Sequence, residues 1–406
     1  MSLLRESGFR NLFVADAVSQ AGTQVSLLAL PLVAVVVLHA SNFEVGLLEA
    51  CATLAFLVVG LPAGAWVDRM RRRRVLITTD LARALLLGSV PIAWAFDVLG
   101  LVQLCVVALF IGVCTVFFDV AYQSYLPQLV GRDHLVEGNA KLEGVRATSQ
   151  IAGPTAAGFL IQAITAPLAL AVDALSFAGS AFFVGRIADR TPKPERRPDR
   201  HLGREIGEGL RFVFGNRLLR AIAASISSFN LFSSAQSAML IVFLARDLRV
   251  SPGTIGVFFS VASIGGLLGA LTARRIAARI GQGPAIWVPI AVIAPLQLVL
   301  PLAQRGWLLW AAAGAFLVIW ACVSINNITQ VSFRQTLTPD ALLGRMNATM
   351  RFLVWGTMPI GAFAGGVLGQ AVGARSTLWI TAAGAVIALV PLLSSPLRSM
   401  RELPKA

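Results

Sequence analysis

The chain has 406 residues, of which 56% are hydrophobic and only 13% charged. A water-soluble domain carries about 25% charged residues, so this composition, with a mean hydropathy of +0.76, excludes a string of two or three soluble domains; the solvent for most of the chain is lipid. The charge is one-signed, 34 Lys and Arg against 20 Asp and Glu, for a net +14, which points to nucleic acid or to membrane polarity.

The first apolar stretch, about residues 12–38, is longer than a signal core and lacks a cleavage pattern, so it reads as a retained span. Breaking the chain at charged or Gly/Pro-rich punctuation predicts twelve spans: 10–38, 43–68, 74–96, 100–126, 138–165, 167–187, 217–245, 252–278, 284–304, 307–335, 342–372 and 376–396. The stretch from Asp189 to Glu205 is Pro-rich, charged and nearly free of aliphatic residues. It predicts a linker, 189–216, between an N-terminal six-helix bundle, 1–188, and a C-terminal one, 217–406. Within that linker Ile206, Leu210, Val213 and Phe214 face one way between Arg204, Glu208 and Arg211, as in a short helix lying on the cytoplasmic interface.

Position then decides the meaning of the charge. The two termini, the linker and the loops after spans 2, 4, 8 and 10 hold 27 of the 34 basic residues. The opposite loops hold four, Arg246, Arg249, Arg305 and Arg375, and Arg83, Arg146 and Arg351 sit inside spans. That bias predicts a multi-pass protein of the cell membrane with both termini and the linker in the cytoplasm. It also removes nucleic acid as a partner, because the charge follows topology and forms no aromatic-rich basic face. The expected partners are the lipid bilayer, protons and a small-molecule substrate, and the chain is expected to act as a monomer.

The two halves resemble each other. A shift of 208 residues brings Ser124 onto Ser332, Asp119 onto Asn327, Asn139-Ala140 onto Asn347-Ala348, Gly153 onto Gly361, Gly158 onto Gly366 and Gln162 onto Gln370. A shift of 205 brings Gly64 onto Gly269. Duplicated six-helix halves in the same orientation are a transporter plan.

The loop after span 2, Gly64-Ala65-Trp66-Val67-Asp68-Arg69-Met70-Arg71-Arg72-Arg73, resembles the G-x-x-x-D-R-x-G-R-R signature of the major facilitator superfamily, with Arg71 where the signature has glycine. Phe117 to Pro127, Asn139-Ala140, Gly153-Pro154, and Asp80 with Arg83 resemble the subgroup that includes bacterial enterobactin exporters and macrolide efflux proteins. The resemblance spans the chain. It implies an all-α integral membrane protein with twelve transmembrane helices in two pseudo-symmetric six-helix bundles, and it implies export. For Gly64, Asp68, Arg69, Arg72 and Arg73 it implies gating, with Asp80 and Arg83, three apart on one helix face, expected in the same network. Gly153, Pro154 and Gly158 resemble part of the span-5 antiporter motif, where small residues let helices approach and bend.

An Asp at the centre of a spanning helix costs roughly 2.5–3.5 kcal/mol on insertion scales, so acids inside spans need a reason. They are Asp16, Glu49, Asp119, Glu143 and Asp173, all in the first half. Asp16, Glu49 and Asp119 are the candidates for proton coupling. Asp119 has a second reading, as a structural partner of Arg146 or Arg132, and Glu143 and Asp173 read as structural. Spans 1, 4, 7 and 10 carry polar faces, and in the superfamily those helices line the central cavity. The candidates for the cavity and its substrate are Gln20, Gln24, Thr115, Phe118, Tyr122, Asn230, Ser234, Trp320 and Asn327; interhelical hydrogen bonding is the alternative reading of each polar stripe.

No nucleophile–base pair, metal-ligand spacing or G-x-x-x-x-G-K occurs, so neither an enzyme nor a cofactor or metal is expected. Energy would come from a gradient: one charge crossing about 150 mV yields roughly 3.5 kcal/mol. The sequence thus predicts a proton-coupled exporter of amphipathic small molecules, with a metabolite importer or facilitator and a non-transporting receptor as the rivals.

Overall fold

The computed structural model describes residues 3–60, 62–67, 69–131, 133–188, 202–339 and 342–400. Among them all regular structure is helical, with no strand. In chain order the helices are α1 (Ser7–Leu32), α2 (Asn42–Val58), α3 (Pro62–Val67), α4 (Arg72–Ala95), α5 (Leu101–Val130), α6 (Leu135–Ile164), α7 (Ala166–Gly185), α8 (Leu202–Gly215), α9 (Arg217–Val242), α10 (Pro252–Ile280), α11 (Gln282–Gln297), α12 (Trp307–Leu337), α13 (Leu343–Trp355), α14 (Thr357–Val372), α15 (Ala374–Gly384) and α16 (Val390–Leu393). Ten helical stretches among the described residues are long and apolar enough to cross a membrane. The other two predicted spans are α2, which stops after 17 residues, and α6, 30 residues long, whose polar side chains dilute its apolar character.

Local chemistry explains several boundaries. At the start of α2 the Ser41 N–H donates to Glu44 Oε2 (2.7 Å) and the Glu44 N–H to Ser41 Oγ (3.3 Å), a reciprocal capping box. Asn216 caps α9 by accepting from the N–H groups of Leu218 (2.9 Å) and Leu219 (3.2 Å). The run 43–68 predicts one helix, but the helix ends at Val58 and restarts at Pro62. Gly60 is a poor helix former and a proline has no N–H to continue the ladder. The run 342–372 likewise breaks at Gly356, three residues before Pro359.

The sequence duplication extends to the elements. α1 continues into a five-residue π-helical stretch, Val33–Val37; 210 residues on, α9 continues into Phe243–Asp247. α6 recurs 208 residues on as α13 with α14, Leu343 through Val372, and α7 as the stretch from α15 to α16, Ala374 through Leu393. Unusual backbone recurs too: His39 and Arg249 have φ of 51° and 47°, and Thr165 and Gly373 have 80° and 84°.

The chain forms two compact units. One comprises Met1–Ala40, Cys51–Arg197 and Val250–Ser260; the other comprises Ser41–Ala50, Pro198–Arg249 and Val261–Ala406. The start of α2 thus belongs to the second unit and the start of α10 to the first. Residues 189–201 of the expected linker lie outside the described residues.

In the first unit α7 packs along α1 and α4, α4 along α5, and α1 along α6. Phe9, Leu12, Leu76, Tyr125, Leu126 and Val184 share a buried core there. The entry to α6 is tied to the N-terminal segment: Glu137 accepts from the Leu3 N–H (3.3 Å) and pairs with Lys141 (3.1 Å). The Lys141 ammonium, with that N–H, holds the Glu137 carboxyl below the usual carboxylate range. In the second unit α9 packs along α14 and α15, and α11 along α12. α8 docks on α13, where Arg345 Nη1 donates to Glu208 Oε2 (2.5 Å).

Candidate functional site

The first unit buries a charge cluster among apolar helices. Asp80 and Arg83, one turn apart on α4, form an ion pair through Asp80 Oδ1, and Asp80 Oδ2 accepts from Ser180 of α7 (2.7 Å). The Arg83 guanidinium lies over two rings, 4.4 Å from the centroid of Phe118 on α5 and 4.2 Å from that of Phe177 on α7. Asp173, also on α7, accepts from Ser176 (2.8 Å) and from Ser26 of α1, and both Asp80 and Arg83 act on it electrostatically. Asp80 and Asp173 are 0% exposed and Arg83 4%. Gly22 of α1 makes this approach possible, since a Cβ there would collide with Ser176 and Asp173.

A second polar group lies beside the first. Asp16, buried on α1, meets Gln20 of its own helix and Tyr122 of α5, with Glu143 and Arg146 of α6 within electrostatic reach. Asp119, half-buried on α5, also acts on Tyr122. The Tyr122 hydroxyl is buried beside the Asp16 carboxyl, outside good hydrogen-bond geometry. Its ring stacks on Phe118 at 5.8 Å, so Asp16, Tyr122, Phe118 and Arg83 form a continuous file to the Asp80–Asp173 cluster. The arrangement offers ionisable groups, held away from water, that can gain or lose a proton. Sequence spacing indicates the Asp80–Arg83 pair. It gives no sign that Asp173, Ser180 and Phe177 converge on it from another helix.

The signature loop presents a different picture. Asp68 lies outside the described residues. Gly64 has open space where a side chain would be, and Arg69 is exposed. Arg72 begins α4 and is half-buried. Arg73 Nε donates to Val184 O (3.3 Å) and its Nη2 to Gly185 O, capping the C-terminus of α7 where carbonyls lack helical donors. Glu49 is half-buried in the part of α2 that belongs to the second unit.

Gly153 and Gly158 serve close packing. The position of a Gly153 Cβ is filled by Gln24 of α1, and that of a Gly158 Cβ by the backbone of Pro252, Gly253 and Gly256 at the start of α10. Pro154 is buried beside them, and its carbonyl fills the position of a Gly256 Cβ. Gly366, 208 residues after Gly158, meets Gly46 in the same backbone-to-backbone way.

Other polar candidates hold backbone. Thr115 Oγ1 donates to Ile111 O (2.8 Å). Asn230 Nδ2 donates to Val354 O (3.0 Å) and Ser234 Oγ to Met358 O (2.8 Å), on either side of the α13–α14 break. Asn327 is exposed and accepts from Gln330 (3.1 Å). Trp320 is 45% exposed and meets Phe316 edge-on. One residue that span counting missed is Arg334, buried on α12 with its Nε unpartnered. No cluster of three potential metal ligands occurs among the described residues.

Comparison with known proteins gives the family. The transmembrane secretion effector family of major facilitator transporters matches residues 1–405. The chain is 30% identical to the multidrug efflux pump Tap of Mycolicibacterium fortuitum over 383 residues, covering 88% of each protein. It is 24% identical to the enterobactin exporter EntS of Escherichia coli O127:H6 over 371 residues, covering 86% of this chain and 82% of that protein. A solved bacterial homologue of the iron transporter ferroportin, in its inward-facing state, shares the fold with a TM-score of 0.78 at 17% identity, over 97% of this chain and 99% of that one. Matched along its length by this family and by efflux proteins, the chain belongs to the transmembrane secretion effectors of the major facilitator superfamily and is a multi-pass membrane transporter, not an enzyme.

Proposed function

We propose that this transporter exports amphipathic small molecules, such as drugs, macrolides or siderophores, in exchange for protons by alternating access. The observation that carries the reading is the buried meeting of Asp16, Gln20 and Tyr122 on α1 and α5. A carboxyl among apolar helices costs roughly 2.5–3.5 kcal/mol to insert, and a carrier that must take up and release protons gives it a use. Asp16, Glu49 and Asp119 are the sequence's candidates for that use. The names of the relatives, a multidrug efflux pump and an enterobactin exporter, favour outward transport of bulky organic molecules.

In this reading residues 1–188 and 217–406 form two six-helix bundles, twelve spans in all, joined by the linker 189–216. The protein is a monomer in the cell membrane with both termini cytoplasmic. Gly64, Asp68, Arg69, Arg72 and Arg73 form the gate at the cytoplasmic end of span 2. Gln20, Gln24, Thr115, Phe118, Tyr122, Asn230, Ser234, Trp320 and Asn327 border the substrate path.

The test is flux in everted vesicles loaded to a defined pH gradient, with ethidium as the probe. Uptake into the everted vesicles that stops on adding a protonophore supports the reading. Uptake that ignores the gradient removes proton coupling, and movement in the opposite direction identifies an importer. Susceptibility and secretion profiles of deletion and overexpression strains would then narrow the substrate.

A further inference from the structure

The cluster of Asp80, Arg83 and Asp173 holds two carboxyls but a single cation, and all three are buried: Asp80 and Asp173 are 0% exposed and Arg83 4%. A buried carboxylate is tolerated when it is paired, and an unpaired one is neutralised by taking up a proton. Arg83 is engaged with Asp80. Asp173 has two serine hydroxyls, Ser26 and Ser176, which stabilise a carboxyl in either state, since a hydroxyl both donates and accepts.

The charged groups that act on Asp173 are Asp80 and Arg83 of α4. Among the described residues α1 brings it Ser26, α7 brings Ser176, and no charged side chain of α6 acts on it. The Cys114 thiol of α5 faces the Asp80–Arg83 pair. Among the described residues Arg83 is the one cation that acts on either acid.

Arg83 Nε is buried and has no hydrogen-bond partner, so the guanidinium retains an unused donor inside the cluster. The guanidinium carbon lies 4.4 Å from the Phe118 centroid and 4.2 Å from the Phe177 centroid, so both rings hold the cation while one of its donors is left unused by Asp80.

We propose that Asp173 is a proton-binding site of the transport cycle, and that Arg83 shifts from Asp80 toward Asp173 when Asp173 gives up its proton to water. The proposal rests on the proton-coupled reading above and adds a residue to its candidates. Nothing but a proton is exchanged: Asp173 passes from carboxylic acid to carboxylate, and the guanidinium charge is redistributed over the two acids. Because Asp173 joins α7 to α1 through Ser26, beside the close approach at Gly22, its proton is tied to the packing of those two helices.

The experiment uses the full chain reconstituted in liposomes, with two readouts: the infrared C=O stretch of a protonated carboxyl shielded from exchange, and pH-gradient-driven ethidium transport. Wild type should show a shielded carboxyl band that belongs to Asp173, distinct from any component of Asp16 or Glu49. Asp173→Asn should lose it, Asp16→Asn should keep it, and Arg83→Gln should add a further one, as Asp80 also takes a proton. Gradient-driven transport by Asp173→Asn should fall to the rate seen without a gradient, while downhill exchange of the dye continues. Should Asp173→Asn not reach the membrane, Asp173→Glu should show the band at a shifted frequency. An Asp173→Asn protein that retains the band, an Asp173→Glu band that does not move, or full gradient-driven transport by Asp173→Asn overturns the proposal. If Asp16→Asn then loses coupling, the broader reading stands without Asp173. Wild-type transport indifferent to the gradient overturns that reading and this proposal together.

Discussion

The Arg83 guanidinium lies 4.2 Å over the Phe177 ring. Phe177 is 3% exposed, so the contact is desolvated, where a cation–π interaction is worth about 2 kcal/mol. Phe177→Leu is expected to lower the thermal unfolding midpoint of the purified protein. Packing loss contributes to that drop, so the informative measurement is a double-mutant cycle. In an Arg83→Gln background the cost of Phe177→Leu should shrink by about 2 kcal/mol. An undiminished cost would mean that Phe177 acts by packing alone.

Removing the cation outright should be worse. Arg83→Ala leaves Asp80 buried beside Ser180 with no counter-charge, which typically costs about 3–5 kcal/mol. Replacing both partners, Asp80→Asn with Arg83→Gln, keeps polar shape without charge and should recover most of the midpoint. If the double variant unfolds as early as Arg83→Ala, charge imbalance is not the cause of the loss.

The sequence exposed the parts of this cluster that lie along one helix. Asp80 and Arg83 stand three apart, and helix geometry alone puts them in contact. Asp173 sits 147 residues from Ser26 and 90 from Arg83, and periodicity tells which face a residue takes, not which helix it meets. The same holds for Gln24, whose place is set by the missing side chain of Gly153 on another helix. The fold was more legible, because insertion in lipid requires long apolar runs and the duplication repeats them. Hydropathy averaged over a run hides the interruptions at Gly60–Pro62 and Gly356, since such breaks depend on one or two backbone groups.

Gln24 and Gly153 make a compensable pair. Gly153→Val puts a branched side chain where Gln24 lies, and overpacking of this kind costs roughly 1–3 kcal/mol. Gln24→Ala should restore the midpoint in the Gly153→Val background, although alone it leaves a space. Failure of that rescue would assign the loss to the helix backbone rather than to the side-chain clash.

Tyr122 separates stability from transport. Its hydroxyl is buried beside Asp16 but outside good hydrogen-bond geometry, and an unsatisfied buried polar group costs about 1–3 kcal/mol. Tyr122→Phe should therefore leave the midpoint unchanged or raise it. If the hydroxyl serves Asp16 during the cycle, the same variant should slow gradient-driven ethidium transport. A variant that is both as stable and as active as wild type would remove Tyr122 from the path and leave its ring, stacked on Phe118, as its contribution.

The last expectation comes from the duplication itself. Thr165 joins α6 to α7 with φ 80° and ψ 156°, and Gly373 joins α14 to α15 with φ 84° and ψ 161°. That region of backbone space is open almost solely to glycine, and a side chain held there costs about 1–3 kcal/mol. The turn is the same in both halves, but the first half makes it with a β-branched residue. Thr165→Gly should raise the unfolding midpoint, and Gly373→Thr should lower it by a comparable amount. Transport should be unaffected by Thr165→Gly, because Thr165 is exposed and lies outside the Asp16–Asp173 file. A midpoint lowered by Thr165→Gly would show that the threonine side chain makes an interaction strong enough to outweigh its strained backbone.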